Sequence, residues 1–171
     1  MAAVPQTHGS VTAVDVDLQL AVENLLSRYV HALDDDRLEE WPGFFVNEGR
    51  YRITTAENFE RKLPLPIIYA DSRAMLRDRV SALRHANIYE AQRYRHAVSS
   101  VLVERIDAHT VRSISNFQVV RIMHGGEGTL FASGRYLDRI RLNGEAGIAQ
   151  FEERIVILDS RAVDTLLAIP I

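Results

Sequence analysis

The densest concentration of reactive side chains in the sequence is Arg93-Tyr94-Arg95-His96, three residues after Glu90. Guanidinium groups match a carboxylate in a two-pronged geometry, so this cluster has the chemistry to hold a substrate carboxylate. The same fork also suits bracing of a turn or docking of a partner subunit, and that is the reading taken for Arg93, Arg95, His96 and Glu90. His85, Glu90 and His96 together have the composition of a two-histidine, one-carboxylate iron site. However, His85 falls near a predicted helix end, where a cation meets the helix dipole favourably, and His96 opens a predicted strand. Nothing in their spacing makes the three converge, so no metal, catalytic or cofactor-binding residue is assigned. A proton-transfer pair is a further option, either Asp34, Asp35 or Asp36 with His31, or Tyr51 with His96. The competing reading makes the Asp run a solvated helix junction with Asp36 as a cap.

The absence of cysteine narrows the chemistry further. The chain has no disulfide, no thiolate nucleophile and no Cys-ligated zinc or iron–sulfur cluster. Its 171 residues, 47% hydrophobic and 25% charged, suit one folded domain over 15–171 behind an arm over 1–14. A net charge of −3 gives no general attraction to nucleic acid or anionic membrane. No apolar run approaches the roughly 18 residues of a membrane helix. The first residues lack the charged and apolar regions of a secretory signal, so a cytoplasmic location is expected.

The elements that must position the Arg–His cluster are legible from periodicity. Leu18, Val22, Leu25, Leu26, Tyr29 and Leu33 form one helical stripe over 17–33. Asp36 and Glu39 have the spacing of a capping box for a short helix over 38–45, which would tuck Trp41, Phe44 and Phe45 under the first helix. Glu48-Gly49 reads as a turn into a strand at 51–54. Residues 56–66 read as a loop because Pro64 and Pro66 oppose regular pairing. A short strand at 67–69 precedes a helix that starts at the Ser72 cap and buries Met75, Leu76, Val80 and Leu83. That helix ends near Asn87. Four long strands follow, over 98–106, 111–123, 129–142 and 148–158, with short Gly- and Asn-rich separators that favour antiparallel neighbours. In the last strand, alternation places Phe151, Glu153, Ile155 and Ile157 opposite Gln150, Glu152 and Arg154. Arg135, Arg139 and Arg141 share one face of their strand. Helices followed by an antiparallel meander indicate an α+β domain with N-terminal helices on a strongly curved sheet.

Several of these pieces resemble the small (β) subunits of aromatic-ring-hydroxylating dioxygenases, most closely the terephthalate type. The core of the resemblance is Asp71, Asp78-Arg79-Val80, Leu83, Tyr89-Glu90 and Arg93-Tyr94-Arg95-His96. It extends through Trp41-Pro42, Phe44-Phe45, Tyr51-Arg52, Arg121-Ile122-Met123-His124, Phe131-Ala132-Ser133-Gly134, Tyr136-Leu137-Asp138, Glu153-Arg154 and Leu167-Ala168-Ile169-Pro170. The resemblance implies the cone-shaped fold shared with scytalone dehydratase and nuclear transport factor 2. It implies a structural subunit without cofactors, partnered by an α subunit in an α3β3 hexamer with β–β contacts. The α subunit would carry a Rieske [2Fe–2S] cluster and mononuclear Fe(II), supplied with electrons from NAD(P)H by a reductase, and would cis-dihydroxylate an aromatic carboxylate. Arg79, Tyr89, Glu90, Arg93, Arg95 and His96 are the expected interface or turn-bracing residues. Two alternatives stay open: a stand-alone cone-fold dehydratase or isomerase, and a small-molecule-binding module.

Overall fold

A computed structural model describes residues 15–86, 92–143, 148–160, 167 and 169–171. The expected arm over 1–14, the helix end at Asn87, and Tyr89 and Glu90 lie outside the described residues. Helix α1 spans Val16–Asp34 and is capped by Asp15, whose carboxylate accepts the Leu18 N–H. Its predicted stripe is buried in full, from Leu18 to Leu33. A 3₁₀ helix over Leu38–Phe44 buries Trp41 and Phe44, with Phe45 following at zero exposure. The capping box at Asp36 and Glu39 does not form. Asp36 instead turns the chain at φ 57°, and both carboxylates reach across to Arg84 on a later helix at 2.8–2.9 Å. A long cation between two acids satisfies them better than backbone capping of a short 3₁₀ turn. It also holds the Glu39 carboxyl below its usual range.

Strand β1 covers Phe45–Thr55, so Glu48-Gly49 lies within a strand and not in a turn before one. The local feature is an irregularity in pairing between Phe45 and Arg50. Glycine is required there, because a Cβ at Gly49 would sit 2.8 Å from the Phe45 Cβ and 2.9 Å from the Val46 carbonyl oxygen. The expected loop after β1 begins with a one-turn helix, α2 (Ala56–Glu60), capped by the Thr55 hydroxyl; the prolines act only beyond it. Strand β2 (Ile68–Ala70) leads to α3 (Arg73–His85), capped by Ser72 as expected. Leu76, Val80 and Leu83 are buried, whereas Met75 is 40% exposed on the first turn.

Strands β3 (Gln92–Arg105), β4 (Thr110–Met123), β5 (Gly128–Asn143) and β6 (Ile148–Leu158) complete a six-stranded sheet in the order β2-β1-β6-β5-β4-β3. Neighbours are antiparallel except β1 and β6. The sheet is open, with β2 and β3 at its edges, and α1 packs against β3 and β6 on its inner face. Irregularities in pairing fall at Ser99–Leu102 in β3, where Ser100 takes φ 53°, between Val119 and Val120, and in β6 between Phe151 and Glu153. Such bulges add curvature to a sheet and reverse the side-chain parity beyond them.

That reversal corrects the reading of the last strand. Glu152 is the extra residue in β6, so Arg154 points inward while Glu153 stays on the outer side. The inner face then carries Phe151, Arg154, Val156 and Leu158, all buried. Arg135, Arg139 and Arg141 do share the exposed face of β5, with Tyr136, Asp138 and Ile140 buried on the other.

Candidate functional site

Two charged pairs lie inside the cone. The deeper joins neighbouring strands: Arg154 of β6 donates through Nε and Nη2 to the two Asp138 oxygens of β5, at 2.8 and 2.7 Å. Both side chains are fully buried. The guanidinium carbon lies 4.1–4.2 Å from the ring centroids of Tyr29, Tyr136 and Phe151, a cage that offsets part of the lost hydration by cation–π attraction. Burial alone would pull the Arg154 pKa down; the adjacent carboxylate overrides it and holds the cation. Burial pushes the Asp138 carboxyl above its usual range against the pull of Arg154.

Above this cage, the end of the chain is tied into the interior. Tyr29 Oη accepts from the Trp41 indole N–H at 3.0 Å and donates to the Ile171 backbone oxygen at 3.1 Å. Tyr51 Oη donates to the same oxygen at 3.0 Å and accepts from the Ile171 N–H at 3.1 Å. Burial raises the pKa of both phenols, so both remain donors. Arg79 of α3 adds an Nη2 bond to the Leu167 carbonyl at 2.9 Å.

The second pair is at the mouth. Asp34, the last residue of α1, is no part of a solvated junction: its side chain is 2% exposed. Its carboxylate accepts the His96 backbone N–H at 3.0 Å and His96 Nδ1 at 2.6 Å. A carboxylate at that distance requires the proton on Nδ1. His96 Nε2 is buried without a hydrogen-bond partner among the described residues. Neither expected pair forms: Asp34 meets His96, expected with Tyr51, and not His31. His31 is exposed and Tyr51 serves Ile171.

Of the predicted site residues, Arg95 and His96 meet at Asp34, with Arg95 Nη1 3.7 Å from Oδ2. Arg93 and Arg95 are exposed and border a cavity of about 600 Å³, lined also by Asp34, Asp35, Asp36 and Tyr94. Arg79 stands apart at Leu167. Tyr89 and Glu90 lie outside the described residues. His85 is exposed on α3, its Nδ1 2.9 Å from the Ser81 carbonyl, whereas His96 is buried at Asp34. Among the described residues no group of three or more His, Asp or Glu is placed to hold a metal ion. Asp138 and Arg154 were missed as a pair because the bulge disguised their common face. Their signal was an Asp and an Arg on strands expected to be neighbours.

The comparisons with known proteins bear on this arrangement. The family model of the ring-hydroxylating β subunit matches residues 28–165. The β 1 subunit of the terminal oxygenase component of terephthalate 1,2-dioxygenase from a Comamonas species is 42% identical over 91% of this chain and 98% of its own length. The small subunit of anthranilate 1,2-dioxygenase from Burkholderia cepacia is 36% identical over 92% of this chain and 96% of its own. A solved structure from Novosphingobium aromaticivorans, described as the β subunit of an aromatic-ring-hydroxylating dioxygenase, superposes with a TM-score of 0.81. It is 35% identical and covers 90% of this chain and 96% of its own. With its helices laid inside an open, strongly curved sheet and this likeness along nearly its whole length, the chain belongs to the ring-hydroxylating dioxygenase β subunit family.

Proposed function

We infer that this chain is the non-catalytic, architectural β subunit of a cytoplasmic dioxygenase that cis-dihydroxylates an aromatic carboxylate of the terephthalate type. The observation that carries the architectural role is the packed interior. Tyr29, Tyr136 and Phe151 are fully buried around Arg154, Trp41, Phe45 and Tyr51 are fully buried in the ring cluster beside them, and Ile171 is hydrogen-bonded to Tyr29 and Tyr51. Relatives that act on terephthalate and anthranilate, both benzoic acids, support the substrate class. In this reading an α subunit supplies the Rieske cluster, the mononuclear iron and the reaction, within an α3β3 assembly. Arg93 and Arg95 face the partner, while Arg79 and His96 brace the fold; Tyr89 and Glu90 are assigned with them on the sequence alone.

The Asp34–His96 pair favours a second reading, an acid–base enzyme, since a carboxylate-fixed imidazole is a common general base. Both side chains are 2% exposed or less, which argues for a brace. The test is to purify the chain alone and measure bound iron and oxygen uptake with terephthalate and benzoate. Inactive, iron-free protein that restores dihydroxylation when combined with its α subunit is expected. Turnover of either acid without a second subunit overturns the reading.

A further inference from the structure

The outer face of β3–β5 is organised in bands that the register makes explicit. At one end Leu102 lies opposite Ile114, and at the other Val120 lies opposite Leu130. All four are solvent-facing, with Leu102 70% and Leu130 64% exposed. Between the two apolar bands the rows are small or polar: Ser99 opposite Asn116 opposite Arg135, then Ala97, Gln118 and Ser133. These rows form the floor of a trough of about 640 Å³, lined also by Glu60 and by Asp159, whose carboxylate accepts from the Ser133 hydroxyl.

The face is also cationic, in a chain whose net charge is −3. Arg139 and Arg141 are already held by Glu152 at 2.6–2.7 Å, and Arg112 lies 3.5 Å from Glu104. Arg135, in the middle of the trough, has no ion pair among the described residues. Arg95, in line with Val120, lies 3.7 Å from a carboxylate that His96 already occupies. Solvent-facing aliphatic side chains on either side of an unneutralised guanidinium are an unusual use of open surface. They match the anatomy of a protein interface, where apolar contacts surround an arginine anchor.

Resting on the β-subunit reading, we propose that this outer sheet face is the docking surface for the cofactor-bearing large subunit, which meets it with a carboxylate directed at Arg135 between two apolar contacts. Charge selects the occupant. A second copy placed symmetrically on this face would set Arg135, near its middle, against its own counterpart, and like charges brought together at an interface are strongly disfavoured. Six residue steps along β4, from Ile114 to Val120, and the width of three strands give a face on the order of 300 Å². That is less than half of the roughly 800 Å² per partner of a standard interface, so the contact extends beyond this face.

The tagged chain is purified from its native host, and the iron content and iron–sulfur absorbance of the co-purified large subunit are read. Leu102→Asp, Leu130→Asp and Arg135→Glu are expected to lower recovery of that subunit about tenfold or more, with circular dichroism and melting unchanged. Arg135→Lys should retain most of the recovery, as should Leu20→Asp on the exposed side of α1. If a leucine variant fails to fold, Arg135→Glu, a change at an exposed position, decides. Full recovery of the large subunit by folded face variants overturns the proposal. So does sedimentation showing that these variants separate copies of this chain from one another while the large subunit stays bound. If the unmodified chain recovers no iron–sulfur subunit at all, the β-subunit reading falls and the docking proposal with it.

Discussion

Replacing Arg154 with Met tests the centre of the cone. Methionine keeps most of the side-chain length but removes the cation from its cage of three rings, leaving the Asp138 carboxyl buried without its ion-pair partner. Breaking one member of a buried pair costs about 3–5 kcal/mol, because the survivor keeps its desolvation penalty and loses its compensation. For a domain of this size that corresponds to a fall in Tm of roughly 6–20 °C, out of a total stability on the order of 5–15 kcal/mol. The sign of the pH dependence follows from Asp138. Its folded carboxyl is already raised by burial, and without Arg154 it rises further. A group whose folded pKa lies above its unfolded value stabilises the fold below the unfolded pKa and loses that contribution as pH rises through the folded one. The deficit of Arg154→Met is therefore largest at neutral pH, shrinks as pH falls through the raised folded pKa, and levels off by about pH 4, the unfolded value. Replacing both partners with apolar residues, Arg154→Met with Asp138→Leu, should recover most of the loss. Urea unfolding of the single and double variants at two pH values measures all three quantities. A single-variant deficit under about 1 kcal/mol, or a double variant no more stable than the single, refutes the argument.

Three other outcomes are expected. Burial works against ionised Glu152, but Arg139 and Arg141 more than offset it and hold its carboxyl below the usual glutamate range. A depressed folded pKa adds stability above the unfolded value and loses it as pH falls through the folded one. Glu152→Gln should therefore cost up to about 1 kcal/mol at pH 7 and nothing in strong acid, as read from Tm against pH. Asp34→Ala leaves two His96 donors buried without their acceptor and should cost about 2–4 kcal/mol, with faster hydrogen exchange at the His96 amide. Removing residues 168–171 deprives Tyr29 and Tyr51 of the Ile171 backbone and should lower Tm clearly; an unchanged Tm would make that segment dispensable.

Periodicity made the architecture legible because each element buries one face. The α1 stripe, the Ser72 cap and the four long strands all follow from the spacing of apolar residues and the turns between them. The site was less legible, for two physical reasons. A single inserted residue, Glu152, reverses parity and turns Arg154 from an apparent surface residue into the most deeply buried cation of the described chain. Local spacing also cannot reveal a partner 62 positions away, and Asp34 finds His96 only when α1 is laid across the edge of β3. The Asp36–Glu39 spacing misled for the same reason, since Arg84, 45 and 48 positions away, competes for both carboxylates.

Asp34 also explains why the sheet's face, and not its edge, is available to a partner. Strand β3 ends the sheet with fourteen residues, long enough to recruit a further strand if its backbone were free. Asp34 takes the His96 N–H, Gln19 of α1 donates to the Val101 carbonyl at 3.1 Å, and the irregularity at Ser100 breaks the strand's line between them. The opposite edge, β2, is three residues long and follows Pro64 and Pro66, which cannot donate to a ladder. Strand addition is thus opposed at both ends by different means, so association must go through side chains. On β3–β5 those side chains are apolar bands around Arg135. The buried Asp34–His96 pair then serves the proposed assembly indirectly: by closing the β3 edge it leaves the outer face as the place where a large subunit can bind.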